Sequence, residues 1–413
     1  MVAILYSLLF ILIWVRYKKR YKNSVGAWLL LWYVVSSILT VIENFTFPIN
    51  SEYLDPIATT YYASSQLIAL LPFLYLGRYD CRNFRFSCSL FTYVAYVLIP
   101  FGLLHLGTSV YELSANLSIL FGDIAQLRNN FYDTFLESSS ATPFEKVTII
   151  VNHFQYMSPF IAFFFLCKGE RGLAMLLFIS SLGAPMGQIV KGEREGVLTY
   201  LVNLYFCYLF FKPAIAEATL NKLKKSSKYL LAPLVLFIVA MTLGRFGNEG
   251  NEGLLRGLFL YGGDQPFLFT TFFNDTNLLS QVKWGRINFQ YFFPVPERVQ
   301  GQINLYIDSE IYLNQFAGMP GSFFLDFGYH SITVISVFSF LYFFLIRVAR
   351  KRNKKYPLHI LFLFYFSFQV LYMNIFYFDF HSLFYILMSV FFFIVCCVYT
   401  GKTESLDIHP YAK

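Results

Sequence analysis

Residues 322–355 read SFFLDFGYHSITVISVFSFLYFFLIRVARKRNKK. From about Ser322 to Ile346 the run is apolar, and from Arg347 to Lys355 it carries six Lys and Arg. Roughly 20 apolar residues are enough for a helix to cross the hydrocarbon core of a bilayer. A cationic flank on one side sets the direction of crossing, because short cytoplasmic links are enriched in Lys and Arg. The stretch therefore predicts a membrane-spanning helix with its basic end inside. Its other end, Gly321-Ser-Phe-Phe-Leu-Asp-Phe-Gly328, faces outside.

The same pattern repeats along the chain. Hydrophobic residues make up 57% and charged residues 14%, with a mean hydropathy of +0.53. A soluble domain carries about 25% charged residues, so this chain cannot cover a water-facing surface. The 50 Phe and 31 Tyr suit lipid-facing surfaces and interfacial belts. The fold class expected is an all-α polytopic integral membrane protein. About eleven spans are predicted, as one polytopic domain over 1–413.

The first predicted segment, Val2 to Val15, is followed by its charges, Arg16 to Lys22, which is the reverse of a secretory signal peptide. Further segments run over about 24–42, 57–77, 86–106, 147–167, 172–190, 197–211 and 229–243. The ninth is the quoted stretch, and a hairpin of 358–378 and 382–400 closes the set. With this assignment 23 of the 32 Lys and Arg fall in inner links and 9 outside. The net charge of +8 thus reports membrane sidedness rather than a nucleic-acid surface. Two long segments face outside: a smaller loop over 107–146, and a large loop over 244–321 between the eighth and ninth spans. The six cysteines lie at positions that suggest neither a disulfide framework nor a metal cluster. The segments do not divide into matching halves, as many transporters do.

Three constellations could carry chemistry. An outer loop needs no cations for topology, yet Arg245, Arg256, Arg286 and Arg298 lie in the large one. Arg194 sits in Lys191-Gly-Glu-Arg-Glu-Gly196, between two membrane segments. Guanidinium groups bind phosphate and carboxylate through paired hydrogen bonds. The alternative is ion pairing with the loop's own Glu249, Glu252, Glu297 and Glu310. Candidate acids and bases are Asp308 and Glu310 in Ile307-Asp-Ser-Glu-Ile311, with Asp264, Asp275, Asp326 and His330 as further options. Loop aromatics, Tyr261 among them, either stack on sugar rings or dock the loop on the membrane. Phosphate-cradling P-loop and His-Glu-x-x-His zinc motifs are absent from the sequence.

Three short stretches, in this order and on this plan, resemble the bacterial O-antigen and capsule repeat-unit polymerases of Wzy type. Gly192-Glu-Arg-Glu-Gly196 is similar to that family's small-residue–Arg–Gly element at a periplasmic helix end. Arg245 opens the large loop where the family has periplasmic arginines, and Phe323-Phe-Leu-Asp-Phe-Gly-Tyr-His330 is similar to its aromatic–Asp–Phe–Gly element. The chain departs from the family in two places. Gly257 falls one residue late for an Arg-x10-Gly spacing from Arg245, and the histidine that related ligases carry before the closing helix is missing.

The resemblance implies a GT-C-like, O-antigen-ligase-like architecture in the bacterial inner membrane, with the large loop periplasmic. It implies transfer of a growing glycan from undecaprenyl pyrophosphate onto a lipid-linked repeat unit, without metal or other cofactor. Arg194 and Arg245 would hold the pyrophosphate, with Arg256, Arg286 and Arg298 in support. Glu310 or Asp308 would be the base, while Tyr261, Asp326 and His330 would contact glycan. A chain-length regulator and a flippase of the same pathway are the implied partners, together with the bilayer itself. An O-antigen ligase and a lipid-linked oligosaccharide flippase are the competing readings. The missing histidine argues against the first. The gathering of charge at the outer surface, rather than mid-membrane, argues against the second.

Overall fold

The structure, a computed structural model, describes residues 1–46, 54–115, 154–190, 195–225, 232, 236, 262–275, 318–352, 354–375, 390–399 and 401–406. Helices dominate these residues. They are α1 (Val2–Arg20), α2 (Val25–Thr46), α3 (Pro56–Leu76), α4 (Cys88–Ala115), α5 (Ser158–Lys168) and α6 (Arg171–Ser181). There follow α7 (Gly183–Val190), α8 (Glu195–Phe211), α9 (Gln265–Asn274), α10 (Gly318–Phe327), α11 (Ser331–Arg352) and α12 (Leu358–Met373). Among the described residues six helical stretches are long and apolar enough to cross a membrane: Val25–Thr46, Pro56–Leu76, Cys88–Ser114, Arg171–Val190, Gly196–Ala214 and Gly318–Lys351. The protein is a multi-pass membrane protein. Its lipid-facing surface shows large apolar side chains that no soluble domain would leave open, such as Tyr93, Tyr96 and Val97 on α4 and Phe338, Phe340 and Phe344 on α11.

The chain forms two compact units, one of Met1–Tyr79 with Leu255–Tyr399, the other of Asp80–Leu254 with Thr400–Lys413. In the first, α3 is the hub, packing against α1, α2, α9, α10, α11 and α12. Its start is well specified: Pro56 occupies the first turn, and the Asp55 carboxylate accepts from the Ile57 and Ala58 amides at 2.7 and 2.8 Å. Farther along, Phe73 stacks on Phe364 of α12 with ring centroids 4.9 Å apart.

The second unit is built on α4, which packs against α5, α6 and α7, while α8 packs on α5 and α7. At one end a cluster of buried rings ties the elements together. Phe91 meets Phe164 edge-on at 4.7 Å, and Phe160 meets Phe211 at 4.9 Å. Two short strands close that end, β1 (Arg85–Phe86) and β2 (Glu404–Ser405), paired antiparallel. Lys168 donates to Glu404 beside them at 2.9 Å. The β pair was not foreseen from two-residue stretches, which carry no periodicity to read.

Three element boundaries differ from the sequence reading. Helix α4 continues to Ala115, past Gly107, where the smaller loop was expected to begin. An isolated glycine costs only about 1 kcal/mol in a helix, and the residues after it are compatible with continuing. The predicted ninth span is two helices, α10 and α11, separated by a 3-10 turn over Gly328–His330 where Gly328 takes φ 53°. Helix α11 alone, with 22 residues, is long enough to cross. Parts of the large loop are helical and buried rather than solvated: α9 throughout its inner face, and the loop's last residues as the start of α10.

The ring cluster of the second unit makes a clear expectation. Phe164→Ala opens a void among Phe86, Phe91 and Phe165 and costs about 3 kcal/mol. Tyr96→Ala, at a side chain 65% exposed to lipid, changes little. Unfolding midpoints of the two purified variants in detergent check the difference.

Candidate functional site

Helix α2 is largely apolar, and part of its polar content falls in a stripe. Ser36, Thr40 and Glu43 recur at helical spacing on its later half, so all three lie on one face. The face meets the beginning of the large loop's described part. Ser36 Oγ donates to the Gly262 carbonyl at 2.6 Å, and Thr40 Oγ1 donates to the Gly263 carbonyl at 2.8 Å. Both hydroxyls are buried, as is Gln265, whose Oε1 lies 3.5 Å from Ser36 Oγ. Away from water an unpaired carbonyl is costly, and these two hydroxyls remove that cost for a strand of loop backbone. Close approach requires glycine at the contact. A Cβ on Gly263 would lie 2.9 Å from the Leu39 carbonyl oxygen and 2.7 Å from Glu43 Oε2.

From this seat α9 runs between α3 and α10. Phe269 and Phe273 of α9, Phe324 of α10 and Tyr61 of α3 form one aromatic group, with Tyr61 stacked on Phe269 at 5.9 Å and Phe273 stacked on Phe324 at 5.5 Å. Tyr329 closes it, edge-on to Phe273 at 5.1 Å. The Tyr61 hydroxyl is the polar centre of the turn that follows α10. It donates to the Tyr329 carbonyl at 3.0 Å, accepts from the Ile332 amide at 3.0 Å, and lies 2.8 Å from Ser331 Oγ.

The far end of α10 is anchored as firmly. Gly318 takes φ 63°, a conformation that disfavours side chains, and a Cβ there would lie 2.7 Å from the Asn374 carbonyl oxygen. The Met319 amide donates to Asn374 Oδ1, and Asn374 Nδ2 donates to the Tyr33 hydroxyl at 2.9 Å. Tyr33 in turn donates to the Leu371 carbonyl at 2.9 Å. The described parts of the large loop, 262–275 and 318–321, are therefore seated on α2, α3 and α12. That end of the unit is opposite the one where Arg20, Arg78 and Arg350 gather, since α2 and α12 run towards it from their basic links.

Of the acid and base candidates singled out by sequence, the structure describes four: Asp264 and Asp275 cap the two ends of α9, and Asp326 and His330 lie on and just after α10. Asp326 is fully buried on α10, and His330 is exposed at the start of α11. They are four residues apart, but the Gly328 turn intervenes and only the aspartate enters the packed interior. Arg194, Arg245, Arg256, Arg286, Arg298, Tyr261, Asp308 and Glu310 lie outside the described residues. On either side of Arg194, α7 ends at Val190 and α8 begins at Glu195. In that same unit His105, to which sequence reasoning attached no role, places Nδ1 3.2 Å from Gln155 Oε1. Among the described residues no group of His, Cys, Asp or Glu forms a metal cluster.

Glu43 was missed as a site candidate. The signal available was the Ser36, Thr40, Glu43 spacing in an otherwise apolar helix, where a polar face calls for a partner. No protein-family model, no curated protein and no solved structure matches the chain.

The seat generates a graded expectation. Thr40→Val removes one buried hydrogen bond and lowers stability by about 1 kcal/mol. Gly263→Ala drives a Cβ into the Leu39 backbone and lowers it further, with faster protease cleavage between α9 and α10. Melting temperature and limited proteolysis of the two variants in detergent report the order.

Proposed function

We propose that the chain is an oligosaccharide repeat-unit polymerase of the bacterial inner membrane, acting at the periplasmic face in O-antigen, capsule or exopolysaccharide assembly. The observation that carries this reading is the seating of the large insert. Both of its described ends pack at one end of the first unit, opposite the basic links, and the element from Phe323 to His330 forms the base. An insert fixed in this way suits a working surface at the membrane face.

On this reading the donor is the growing glycan on undecaprenyl pyrophosphate and the acceptor is a single lipid-linked repeat unit. The acceptor hydroxyl oxygen forms a bond to the anomeric carbon as the bond from that carbon to the pyrophosphate oxygen breaks. The electron pair leaves with the pyrophosphate, and the hydroxyl proton passes to Glu310 or Asp308 as general base. Attack opposite the leaving group inverts the anomeric centre. Arg194 and Arg245 stabilise the charge that grows on the leaving pyrophosphate, which is electrostatic catalysis of the oxyanion-hole kind. Arg256, Arg286 and Arg298 extend the same cationic surface, and Tyr261, Asp326 and His330 contact glycan. A flippase supplies the lipid-linked unit, and a chain-length regulator sets the product distribution.

The reading is tested by deletion in the native host and complementation. Loss of the surface-glycan ladder on gels, with single repeats retained, is the expected phenotype. Arg194→Ala inserts normally in the membrane and fails to restore the ladder; wild-type chain lengths in that strain would remove its role. Glu310→Gln lowers the polymerisation rate by about two to four orders of magnitude if Glu310 is the base. An active variant moves that role to Asp308. A ladder unchanged by the deletion itself would overturn the polymerase reading.

A further inference from the structure

At the basic end of the first unit two guanidinium groups meet over phenol oxygens rather than carboxylates. Arg78 follows α3 and lies over the Tyr75 ring, 4.0 Å from its centroid, and over Tyr79 at 4.8 Å. Its Nη2 donates to the Tyr79 hydroxyl oxygen at 2.9 Å and its Nη1 to the Tyr21 oxygen at 3.5 Å. Its Nε is buried with no hydrogen-bond partner among the described residues. Arg350, near the end of α11, donates Nη1 to the same Tyr79 oxygen at 2.6 Å and to the Tyr356 oxygen at 3.0 Å. One phenol oxygen therefore accepts from both cations.

Like charges held this close repel. Ring faces and phenol dipoles offset part of that repulsion but bring no net negative charge. The ion pairs seen among the described residues, Arg82–Asp80 and Lys168–Glu404, involve neither arginine. What the pair lacks is an anion, and guanidinium forks match the oxygens of phosphate. The surroundings fix the depth. Tyr17 donates to the Leu74 carbonyl at 2.7 Å, Lys18 sits over the Trp14 ring at 4.4 Å, and Tyr21, Tyr75, Tyr79 and Tyr356 line the same level. Rings with cations beside them mark the headgroup region of a bilayer. Burial pushes the Tyr356 hydroxyl up, outweighing the opposing Arg350 charge, so it stays protonated and can donate.

We propose that Arg78 and Arg350, joined through Tyr79, bind the phosphate of an anionic membrane lipid at the basic end of this unit. The phosphate takes further N–H donors from both guanidiniums and neutralises the pair. In doing so it ties the end of α3 to the end of α11, two helices that pack against each other and that carry the large insert at their opposite ends.

The test uses full-length protein, stripped of lipid in detergent and titrated with phosphatidylglycerol, phosphatidylcholine or inorganic phosphate while its melting temperature is followed. Phosphatidylglycerol raises the melting temperature and phosphatidylcholine does not. Arg78→Gln with Arg350→Gln shifts the phosphatidylglycerol midpoint at least about tenfold, and Arg350→Gln alone, at an exposed position that folding tolerates, shifts it part of the way. Lys19→Gln with Lys22→Gln removes equal charge from exposed positions at the same end and leaves the midpoint in place. A matching response to inorganic phosphate upholds the phosphate site and assigns it to a free anion. An unchanged midpoint in both arginine variants, or an equal shift in the lysine pair, overturns the proposal.

Discussion

Backbone carbonyls that enter a membrane protein without a helix to absorb them need a donor, because lipid offers none. In this chain the demand is met where Ser36 and Thr40 donate to the carbonyls of Gly262 and Gly263. The rest of the architecture at that end of the unit depends on that contact. It lets loop backbone descend onto α2, which starts α9 at a depth where Phe269 and Phe273 can pack on Tyr61 of α3. It also explains the adjacent glycines, since the same carbonyls could not be reached past a Cβ pressed on the Leu39 backbone. The two residues that satisfy the backbone are polar in a helix that is otherwise largely apolar. Their cost to insertion is recovered when the insert docks.

The return of the chain into α11 solves the same problem differently. Between α10 and α11 the helix hydrogen-bond ladder is interrupted at Gly328, and the Tyr61 hydroxyl serves the exposed groups on both sides, donating to one carbonyl and accepting from one amide. At the other end of α10, the Asn374 side chain bonds the Met319 amide and the Tyr33 hydroxyl together. A buried polar network of this kind is stable only when its members are satisfied, so α10 has little freedom to slide. The consequence is that the fully buried Asp326 is held by its neighbours in one position relative to α3 and α9. Any role it has in the site is played from a fixed place.

The membrane class was legible in the sequence because hydrophobic runs and one-sided basic flanks are direct physical signatures of the bilayer. The structure bears out the multi-pass helical character through helices such as α2, α3 and α11. Helix interruptions were not legible: Phe327-Gly-Tyr reads as continuous apolar sequence, and only the φ 53° at Gly328 marks the break. The β1–β2 pair joins Arg85–Phe86 to Glu404–Ser405, and no local pattern links residues so far apart. The large loop was read as polar because its average composition is polar. Averaging hid Gln265–Asn274, where Pro at the first turn and four Phe specify a short buried helix. Asp326 and His330 were singled out by their position at the start of a membrane segment, whereas Glu43 was passed over as a loop boundary. Its spacing from Thr40 and Ser36 held the information, and the periodicity of the hydroxyls was the part left unread.

The two ends of the first unit place different demands on charge. At the basic end, Arg78 and Arg350 stack on tyrosine rings and share a phenol oxygen, an arrangement that keeps cations at the membrane surface while leaving them able to meet an anion. At the other end the seat includes contacts between neutral groups: hydroxyl to carbonyl, amide to amide, ring to ring. Neutral contacts are insensitive to ionic strength, whereas exposed charge pairs are screened within about 8 Å at physiological salt. The contacts made by Ser36, Thr40, Tyr61 and Asn374 therefore hold the described parts of the insert independently of salt.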